Sequence, residues 1–534
     1  MDKEFNLLHE PWILVRRADA SVHMLSLPDV LLHAHEYEDL SGELPTMDAA
    51  ILRLLLAVLH SVFYRVDENG VPSPLKNAND ADDRWENLWK MKRFPEKPIR
   101  GYLQQYEDRF WLFHPERPFY QAFTAKEYKK DKPVSAKKLN GTINESADKI
   151  RFFSSRSGNA KESLSFSEAA RWLIHINAYD DSSIKPSEHA VKKELPSSVI
   201  GWLGKLGLLT AKGANLFETL MLNFVLYKKD RTLWDSVTPV WELKHVPQEE
   251  RTEIVVRNDQ AELLTVQSRR LYLVHRENRV IEFYCMHGDF LYEKNMFVEQ
   301  MTRWREVKKE RYPRSFSEGI ALWREFPTFI GTNDSNCSPG LIEWNAGLPL
   351  PDDYIIHYQA TSLIYGDKNS SFANIYSDKI TFHKNLLGKL GNTWVLNIQD
   401  EIENIKKAAD ALRKYAKELG LAEGDSQEHR NNSQRIAQEQ LYFRIDSPFR
   451  LWLQELNANQ NDMEIRESIA QWGKTAKALS LDLGKELAEE ASPAALAGRT
   501  ECVKEKKYYY STAKSLEEYI QNINGIWKEE RINA

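Results

Sequence analysis

Cysteine is scarce in this sequence. The 534 residues contain three cysteines, Cys285, Cys337 and Cys502, which lie far apart. An odd number of widely separated cysteines excludes a disulfide framework and is typical of a reducing compartment, so we expect a cytoplasmic protein. No C-x-x-C pair is present, which excludes a zinc ribbon, and we predict no bound metal.

Long apolar runs are missing as well. The longest extends from Ile51 to Phe63 and contains Arg53 and His60. It is shorter than the roughly 20 residues that a transmembrane helix needs, so we predict a buried helix and no membrane contact. The N-terminal MDKEFNLL is acidic and lacks the apolar segment of a signal peptide.

Neither sign of charge is in large excess, since 72 Lys and Arg stand against 78 Asp and Glu, a net charge of −6. Nucleic-acid binding would therefore depend on local basic surface.

Catalytic motifs are also missing: the sequence has no GxxxxGK[ST] phosphate loop, no GxSxG elbow, no HExxH and no GxGxxG after a strand. We therefore predict a protein that is not an enzyme and uses no cofactor.

Two acidic pairs leave a metal-dependent nuclease as an alternative. Asp180–Asp181 and Asp352–Asp353 resemble fragments of a nuclease site, but each lies in a predicted loop. Asp is a common turn residue, and we favour that role. The pair His33 and His35 has no carboxylate or cysteine partner at ligand spacing, so we interpret it as an ordinary surface or capping pair.

Short apolar segments separated by loops dominate the first part of the chain. Residues 12–15 and 22–27 predict strands, and RLYLVHR and RVIEFYCMH predict two more between 269 and 287. A helix is predicted through Leu59 and Val62, with Thr46 and Asp48 as capping residues.

The composition changes near Leu390, after which proline is rare. Amphipathic segments there predict four long helices, over 398–419, 427–456, 463–490 and 496–528, with Gly420 ending the first and Pro448 breaking or kinking the second. Short connections between long helices favour antiparallel neighbours. We predict an α+β fold: a large mixed α/β domain over 1–390 and a four-helix bundle over 391–534.

Two basic segments with aromatic neighbours are candidate phosphate contacts. The first lies in the polar stretch 126–163, which we predict to be a long surface loop, and contains Lys129, Lys130, Lys137 and Lys138. The second is MTRWREVKKERYPR over 301–314, with Arg303, Arg305, Lys308 and Lys309. A solvated helix face is the alternative for either segment.

A third candidate is the small polar loop YGDKNSSFANIY over 365–376, with Phe372 near its tip. A hairpin with such a tip can wedge between base pairs, at roughly a few kcal/mol per unstacked step. A plain turn is the alternative.

Five segments stand in a distinctive order along the chain: FNLLHEPWILVR (5–16), FWLFHPERPFYQ (110–121), SFSEAARWLIHINAYD (165–180), MTRWR (301–305) and YGDKNSSFA (365–373). In their order and spacing, and with the helical region that follows them, they resemble the CasA family, the large subunit of type I-E CRISPR Cascade complexes. The resemblance extends over essentially the whole chain.

The resemblance implies a non-catalytic DNA-binding subunit of an RNA-guided surveillance complex. Such a subunit recognises the protospacer-adjacent motif in double-stranded DNA, starts strand separation and R-loop formation, and provides the docking site for the effector helicase-nuclease in antiviral defence. The implied partners are the backbone, small and guide-end-capping subunits, the guide RNA, the target DNA and the helicase-nuclease. A purely structural ribonucleoprotein scaffold is the second alternative.

The resemblance also implies positions of DNA contact. A long loop of the family falls on 139–156, its minor-groove glycine loop on 181–185, where this chain has DSSIK, and its minor-groove lysine near Lys294. The wedge hairpin corresponds to 368–373, where Phe372 would stack in place of the family's amide. The implied contacts are Phe152, Phe153, Ser154, Asp181, Ser183, Lys185, Lys294, Lys368, Asn369, Ser370, Ser371 and Phe372.

Overall fold

The computed structural model describes residues 3–128, 133–145, 154–183, 185, 199–244, 259–292, 297–330, 336–503 and 506–528. The chain packs as two units, one formed by 1–350 with 356–379 and the other by 351–355 with 380–534. The compositional change near Leu390 therefore lies inside the second unit.

The first unit is of the mixed α/β class that the sequence predicts, and its strands are short. They are β1 (Glu4–Asn6), β2 (Ile13–Arg16), β3 (Val22–Leu25), β4 (Asp39–Leu40), β5 (Trp111–Phe113), β6 (Val134–Ser135), β7 (Leu164–Ser165), β8 (Leu208–Lys212), β9 (Arg269–Arg276), β10 (Arg279–His287), β11 (Trp304–Val307), β12 (Glu310–Pro313), β13 (Asn336–Cys337), β14 (Ile355–Tyr365) and β15 (Phe372–His383), of which the last two extend into the second unit. The strands predicted near 12–15, 22–27 and 269–287 are confirmed as β2, β3, β9 and β10.

The helices of the first unit lie between these strands. They are α1 (Leu27–Leu32), α2 (Pro45–Phe63), α3 (Ala78–Met91), α4 (Glu96–Gln105), α5 (Phe123–Tyr128), α6 (Ala136–Leu139), α7 (Phe166–Tyr179), α8 (Leu216–Asn223), α9 (Gln260–Leu264), α10 (Phe326–Phe329) and α11 (Gly340–Gly347).

The strands form several small sheets rather than one large sheet. β3, β2 and β4 pair in that order, β12, β11 and β13 form a second sheet, and β15, β14 and β8 a third. β10 pairs antiparallel with β9, β6 and β7, and β1 pairs with β5. The long β14–β15 hairpin therefore has one edge, at β14, anchored by the buried strand β8.

Helix α2 is the central buried helix that the apolar run predicts. By length and composition it could cross a membrane, but 94% of its apolar window is buried inside the protein. The predicted caps are wrong: Leu44 is the N-cap and no side chain caps the helix. Thr46 instead hydrogen-bonds to His175, and the carboxylate of Asp48 accepts the Gly42 N–H at 2.6 Å.

The second unit contains the helical region. Its elements are α12 (Asn392–Glu423), α13 (Gln427–Glu455), α14 (Asp462–Glu489), α15 (Pro493–Ala497), β16 (Arg499–Val503), β17 (Lys506–Tyr510) and α16 (Thr512–Ile526). Helix α12 continues past Gly420 and ends at Gly424, whose φ of 85° is the left-handed conformation that glycine adopts without strain. Helix α13 passes through Pro448 without a break, because buried Ile445 and Phe449 anchor it on both sides.

The predicted helix over 496–528 is wrong in its first part. Arg499–Val503 and Lys506–Tyr510 pair as the antiparallel strands β16 and β17, and the last helix begins only after Ser511, whose hydroxyl caps it. Gly498, with a φ of 79°, ends the short helix α15. The tyrosines at 508–510 favour extended backbone, which explains why they lie in the strand β17 rather than in a helix.

Candidate nucleic-acid interface

The β14–β15 hairpin ends in a compact tip over residues 366–371. The Gly366 N–H donates to the Ser371 carbonyl at 2.9 Å, which closes the tip, and the Asn369 N–H donates to the Gly366 carbonyl at 2.9 Å. Lys368 and Asn369 have φ values of 51° and 57°, in the left-handed region. Asp367, Lys368 and Asn369 are exposed, and we call these three residues the tip surface.

Phe372 is not at the tip, which corrects the predicted stacking wedge. It is the first residue of β15 and is half-buried. Its ring centroid lies 5.9 Å from that of Tyr365 and 6.1 Å from that of His175. A Cβ added at Gly141 would lie 3.1 Å from this ring. The phenyl group therefore packs into the unit, and a polar surface stands at the apex in its place.

Ser370 and Ser371 support the tip rather than extend it. Both are half-buried, and the Ser370 hydroxyl donates to the Asp367 carbonyl at 2.9 Å. A Cβ at Gly366 would lie 2.7 Å from the Ser371 Oγ. The amide of Asn369 is therefore the group nearest in chemistry to the amide that the resemblance implies for the tip.

The turn after helix α7 contacts the tip directly. The Ser182 N–H donates to the Asn369 carbonyl at 2.9 Å, and the Ser182 hydroxyl donates to the Lys368 carbonyl at 2.6 Å. On the preceding strand, the Tyr365 hydroxyl donates to the Tyr179 carbonyl at 2.6 Å. Two segments that sequence reasoning treated as separate DNA contacts are thus one structural assembly.

Buried charges lie beneath this contact. We call Lys138, Asp180, Asp181, Lys185 and Arg269 the ionic cluster. The Lys185 ammonium lies 2.7 Å from Asp180 and 3.3 Å from Asp181, Arg269 pairs with Asp180, and Lys138 pairs with Asp181. Asp181 is 0% and Lys185 8% exposed. The predicted minor-groove contacts of Asp181 and Lys185 are therefore corrected: these side chains hold one another inside the protein.

The cluster keeps both carboxylates ionised. Burial alone would raise the pKa of Asp180 and of Asp181, but nearby cations outweigh it and hold both values below the usual range. For Asp180 the cations are Lys185 and then Arg269, and for Asp181 they are Lys185 and then Lys138. Ser183, half-buried, donates its hydroxyl to Asp181 and is part of the same arrangement.

This arrangement disfavours the nuclease alternative. Asp180 and Asp181, one of the two acidic pairs behind that alternative, are neutralised by three cationic side chains. Asp352 and Asp353, the other pair, are exposed. Within the described ranges, no group of three or more His, Cys, Asp and Glu residues could hold a metal ion. His33 and His35 both lie beside the Glu36 carboxylate.

The segment predicted as a long loop over 126–163 is partly folded. Its described part contains β6 and α6, and Ala136, Leu139 and Ile143 are buried. Lys138 pairs with the buried Asp181 in the ionic cluster, so its ammonium group is not free to contact a phosphate. Lys137 lies 3.1 Å from the Glu162 carboxylate in a partly exposed pair, and its phosphate contact stays a prediction. Ser154 is half-buried. The predicted contacts Lys129, Lys130, Phe152, Phe153 and Lys294 lie outside the described residues.

The basic string over 301–314 is a β-hairpin, not a helix face. It is formed by β11 and β12, and at its turn Lys308 and Lys309 have φ values of 51° and 67°, as in a type I′ turn. Both lysines and Arg305 are exposed, as a phosphate contact requires.

Arg303 does not lie on this exposed surface, so its predicted phosphate contact is wrong. It is 1% exposed, pairs with Glu325, donates to the Ser315 carbonyl at 2.8 Å, and stacks over the Phe316 ring at 4.2 Å. A guanidinium held in this way stabilises the core and does not reach a phosphate.

Sequence reasoning missed three residues of the site. Ser182 anchors the tip, Arg269 lies on a strand and completes the ionic cluster, and Asp367 is part of the tip surface. The available signal was the DDSS turn directly after a helix, since Asp and Ser in such turns commonly bond to backbone groups.

The architecture is that of solved CRISPR-associated proteins. The chain superposes on Cse1 of Thermobifida fusca with a TM-score of 0.82 at 26% identity over 98% of both chains. It superposes on Cse1 of Acidimicrobium ferrooxidans with a TM-score of 0.76 at 21% identity over 99% and 100% of the two chains. A chain of a CRISPR RNA-guided surveillance complex shares the fold with a TM-score of 0.66 at 18% identity, over 98% and 100% of the chains.

Sequence comparison narrows this class to one family. The family model described as CRISPR-associated protein Cse1 matches residues 6–483. A CRISPR-associated protein CasA/Cse1 of Thermus thermophilus is 31% identical over 241 residues, which is 45% of this chain and 42% of that relative. The chain therefore belongs to the Cse1 family, and the resemblance to CasA is confirmed.

Proposed function

We propose that this chain is the large, non-catalytic subunit of a cytoplasmic type I-E Cascade complex. Its membership of the Cse1 family supports this function, as does the shared fold with a chain of an RNA-guided surveillance complex. Its partners are the backbone, small and guide-end-capping subunits, the guide RNA, double-stranded target DNA and the effector helicase-nuclease, for which it provides the docking site.

One observation carries the DNA-binding part of the proposal: the hairpin presents an exposed polar apex on a buried support. The tip surface has one ammonium group and one amide, at Lys368 and Asn369, beside the carboxylate of Asp367. An ammonium group neutralises a phosphate, and an amide both donates to and accepts from base edges. The minor groove distinguishes mainly A·T from G·C pairs, which suits recognition of a short, permissive protospacer-adjacent motif.

The same geometry supports a role in strand separation. A tip inserted beside the motif unstacks the first base pairs, at a cost of roughly a few kcal/mol per step, and guide pairing then extends the R-loop. Arg305, Lys308 and Lys309 contact duplex phosphates and contribute affinity that does not depend on sequence. Long-sequence recognition is left to the guide RNA, and cleavage to the recruited helicase-nuclease.

A binding screen with a randomised motif tests the proposal. The reconstituted complex is incubated with duplexes that share one guide-matched sequence, and bound DNA is sequenced. We expect enrichment of a short motif with the unmodified chain, and loss of that enrichment with Lys368→Ala and Asn369→Ala combined. A matched control is Ser377→Ala, an exposed position on the same hairpin. Equal enrichment with the tip variant would remove the tip from motif recognition.

The non-catalytic part has its own test. The purified chain is incubated with DNA and Mg²⁺ or Mn²⁺, alone and in the complex without the helicase-nuclease. We expect intact DNA in both cases. Cleavage that disappears in an Asp180→Asn and Asp181→Asn variant would establish the nuclease alternative instead.

A further inference from the structure

The tip surface is held by contacts from outside the hairpin as well as by hydrogen bonds within it. Lys368 and Asn369 both adopt left-handed backbone conformations. This conformation costs a lysine free energy, because its Cβ approaches the following carbonyl group. The carbonyl groups of these same two residues accept the hydroxyl and the N–H of Ser182. One residue of the α7 turn therefore holds both bent peptide units.

Ser182 is itself held by the ionic cluster. The carbonyl group of the preceding residue, Asp181, accepts from Arg269 at 3.0 Å and from Lys185 at 2.9 Å. The Asp181 carboxylate pairs with Lys138 and Lys185. The backbone on the N-terminal side of Ser182 is thus fixed through its carbonyl group and its side chain.

The cluster also joins a third segment to the tip. Lys138, on helix α6, donates to the Asn144 side chain at 2.8 Å as well as pairing with Asp181. The segment over 133–145, residues 180–183 with Lys185, and the hairpin tip therefore converge on one set of buried contacts. A tip supported from two other segments keeps its shape before DNA arrives.

We propose that Ser182 and Asp181 are positioning residues that hold the hairpin tip as a preformed wedge for duplex DNA. The proposal rests on the proposed function, because it assigns these residues a role in strand opening. A preformed wedge loses little conformational freedom on insertion, so it opens paired DNA faster than a tip that must first become ordered. Asp181 and Ser182 then act on DNA through the tip and need not touch the DNA themselves.

Opening rates of two DNA targets test this assignment. The complete reconstituted complex is mixed with a fully paired target or with one whose first base pairs beside the motif are mismatched. Fluorescent 2-aminopurine in those pairs reports opening. With Ser182→Ala we expect opening of the paired target to slow about tenfold, and opening of the mismatched target to stay unchanged, because the wedge is needed only where base pairs must be broken. Ser377→Ala, on the same hairpin, should change neither rate.

Asp181→Asn provides a second variant, and hydrogen exchange provides a second measurement. Both variants should speed exchange of the backbone amides over 366–371 while the rest of the β14–β15 hairpin stays protected. If Asp181→Asn does not fold, Ser182→Ala alone decides the result, since its side chain is small and uncharged.

The outcomes separate the two proposals. The tip variant, Lys368→Ala with Asn369→Ala, could slow DNA opening while Ser182→Ala changes neither the opening rate nor the hydrogen exchange of the tip. That result would overturn the positioning role of Ser182 but not the function of the tip. If Ser182→Ala slowed the opening of paired and mismatched targets equally, the positioning role would also be overturned, since a general folding defect acts on both targets. If the tip variant opens paired DNA at the normal rate, both proposals fail.

Discussion

The turn of the β11–β12 hairpin makes a quantitative prediction about DNA binding. Lys308 and Lys309 are exposed, and neither ammonium group has a carboxylate partner among the residues that the structure describes. Each phosphate contact on a duplex contributes about −0.9 to the slope of the logarithm of the binding constant against the logarithm of salt concentration. Replacing both lysines by alanine should therefore make that slope shallower by about 1.8.

The expected effect is large enough to measure. Between about 50 and 200 mM salt, a slope difference of 1.8 corresponds to a factor of about 12 in relative affinity. The unmodified complex should thus lose about 12-fold more affinity over this range than the variant. The motif preference should not change, because phosphate contacts carry no sequence information.

Fluorescence anisotropy of a labelled duplex, titrated with the complex at several salt concentrations, gives the slope. Lys76→Ala with Lys97→Ala is the matched control, because it removes the same charge from two exposed positions of the first unit. An unchanged slope in the Lys308–Lys309 variant, or an equal change in the control, would refute the reasoning that this turn binds phosphate.

Three further changes test the packing described above. Glu299→Gln leaves the buried Arg53 guanidinium without its two-point carboxylate partner, so chemical denaturation should show a loss of about 3–5 kcal/mol; a loss below about 1 kcal/mol would contradict a buried pair. Burial raises the pKa of Glu401, so the second unit should lose thermal stability as the pH rises above 4.5, and Glu401→Gln should remove that loss; equal melting profiles between pH 4 and 8 would count against this. Phe372→Leu should slow the opening of paired and mismatched DNA targets equally or not at all, because the Phe372 ring packs inside the first unit. Slower opening of the paired target alone would show that the Phe372 ring is the wedge.

Local patterns predicted the local elements well. Ile13 and Val15 are the buried face of β2, and the apolar run after Pro45 became the almost fully buried helix α2, so burial explains both elements. β3 has no buried residue and is held by its pairing with β2. Strands β16 and β17 were missed because the last amphipathic helix was extended back to residue 496. Gly498, whose φ is 79°, ends the short helix before them, and a positive φ cannot be recognised from apolar spacing.

The site was predicted less well because its contacts are long-range. Asp181 and Lys138 are 43 residues apart, and Arg303 and Glu325 are 22 apart. A basic residue that is free and one that is buried in an ion pair look the same in a sequence. Arg303 and Arg305 illustrate this, since they are two positions apart and only the second is exposed.

The most direct test of the central claim is to crosslink the tip to DNA. A photoreactive side chain is placed at position 369 of the chain, the complex is assembled on a guide-matched duplex, and the crosslinked nucleotides are mapped. The account predicts crosslinks confined to the first base pairs beside the motif, and none when the same group is placed at position 377. Crosslinks spread along the duplex, or none to DNA from position 369, would contradict a hairpin tip that opens the target.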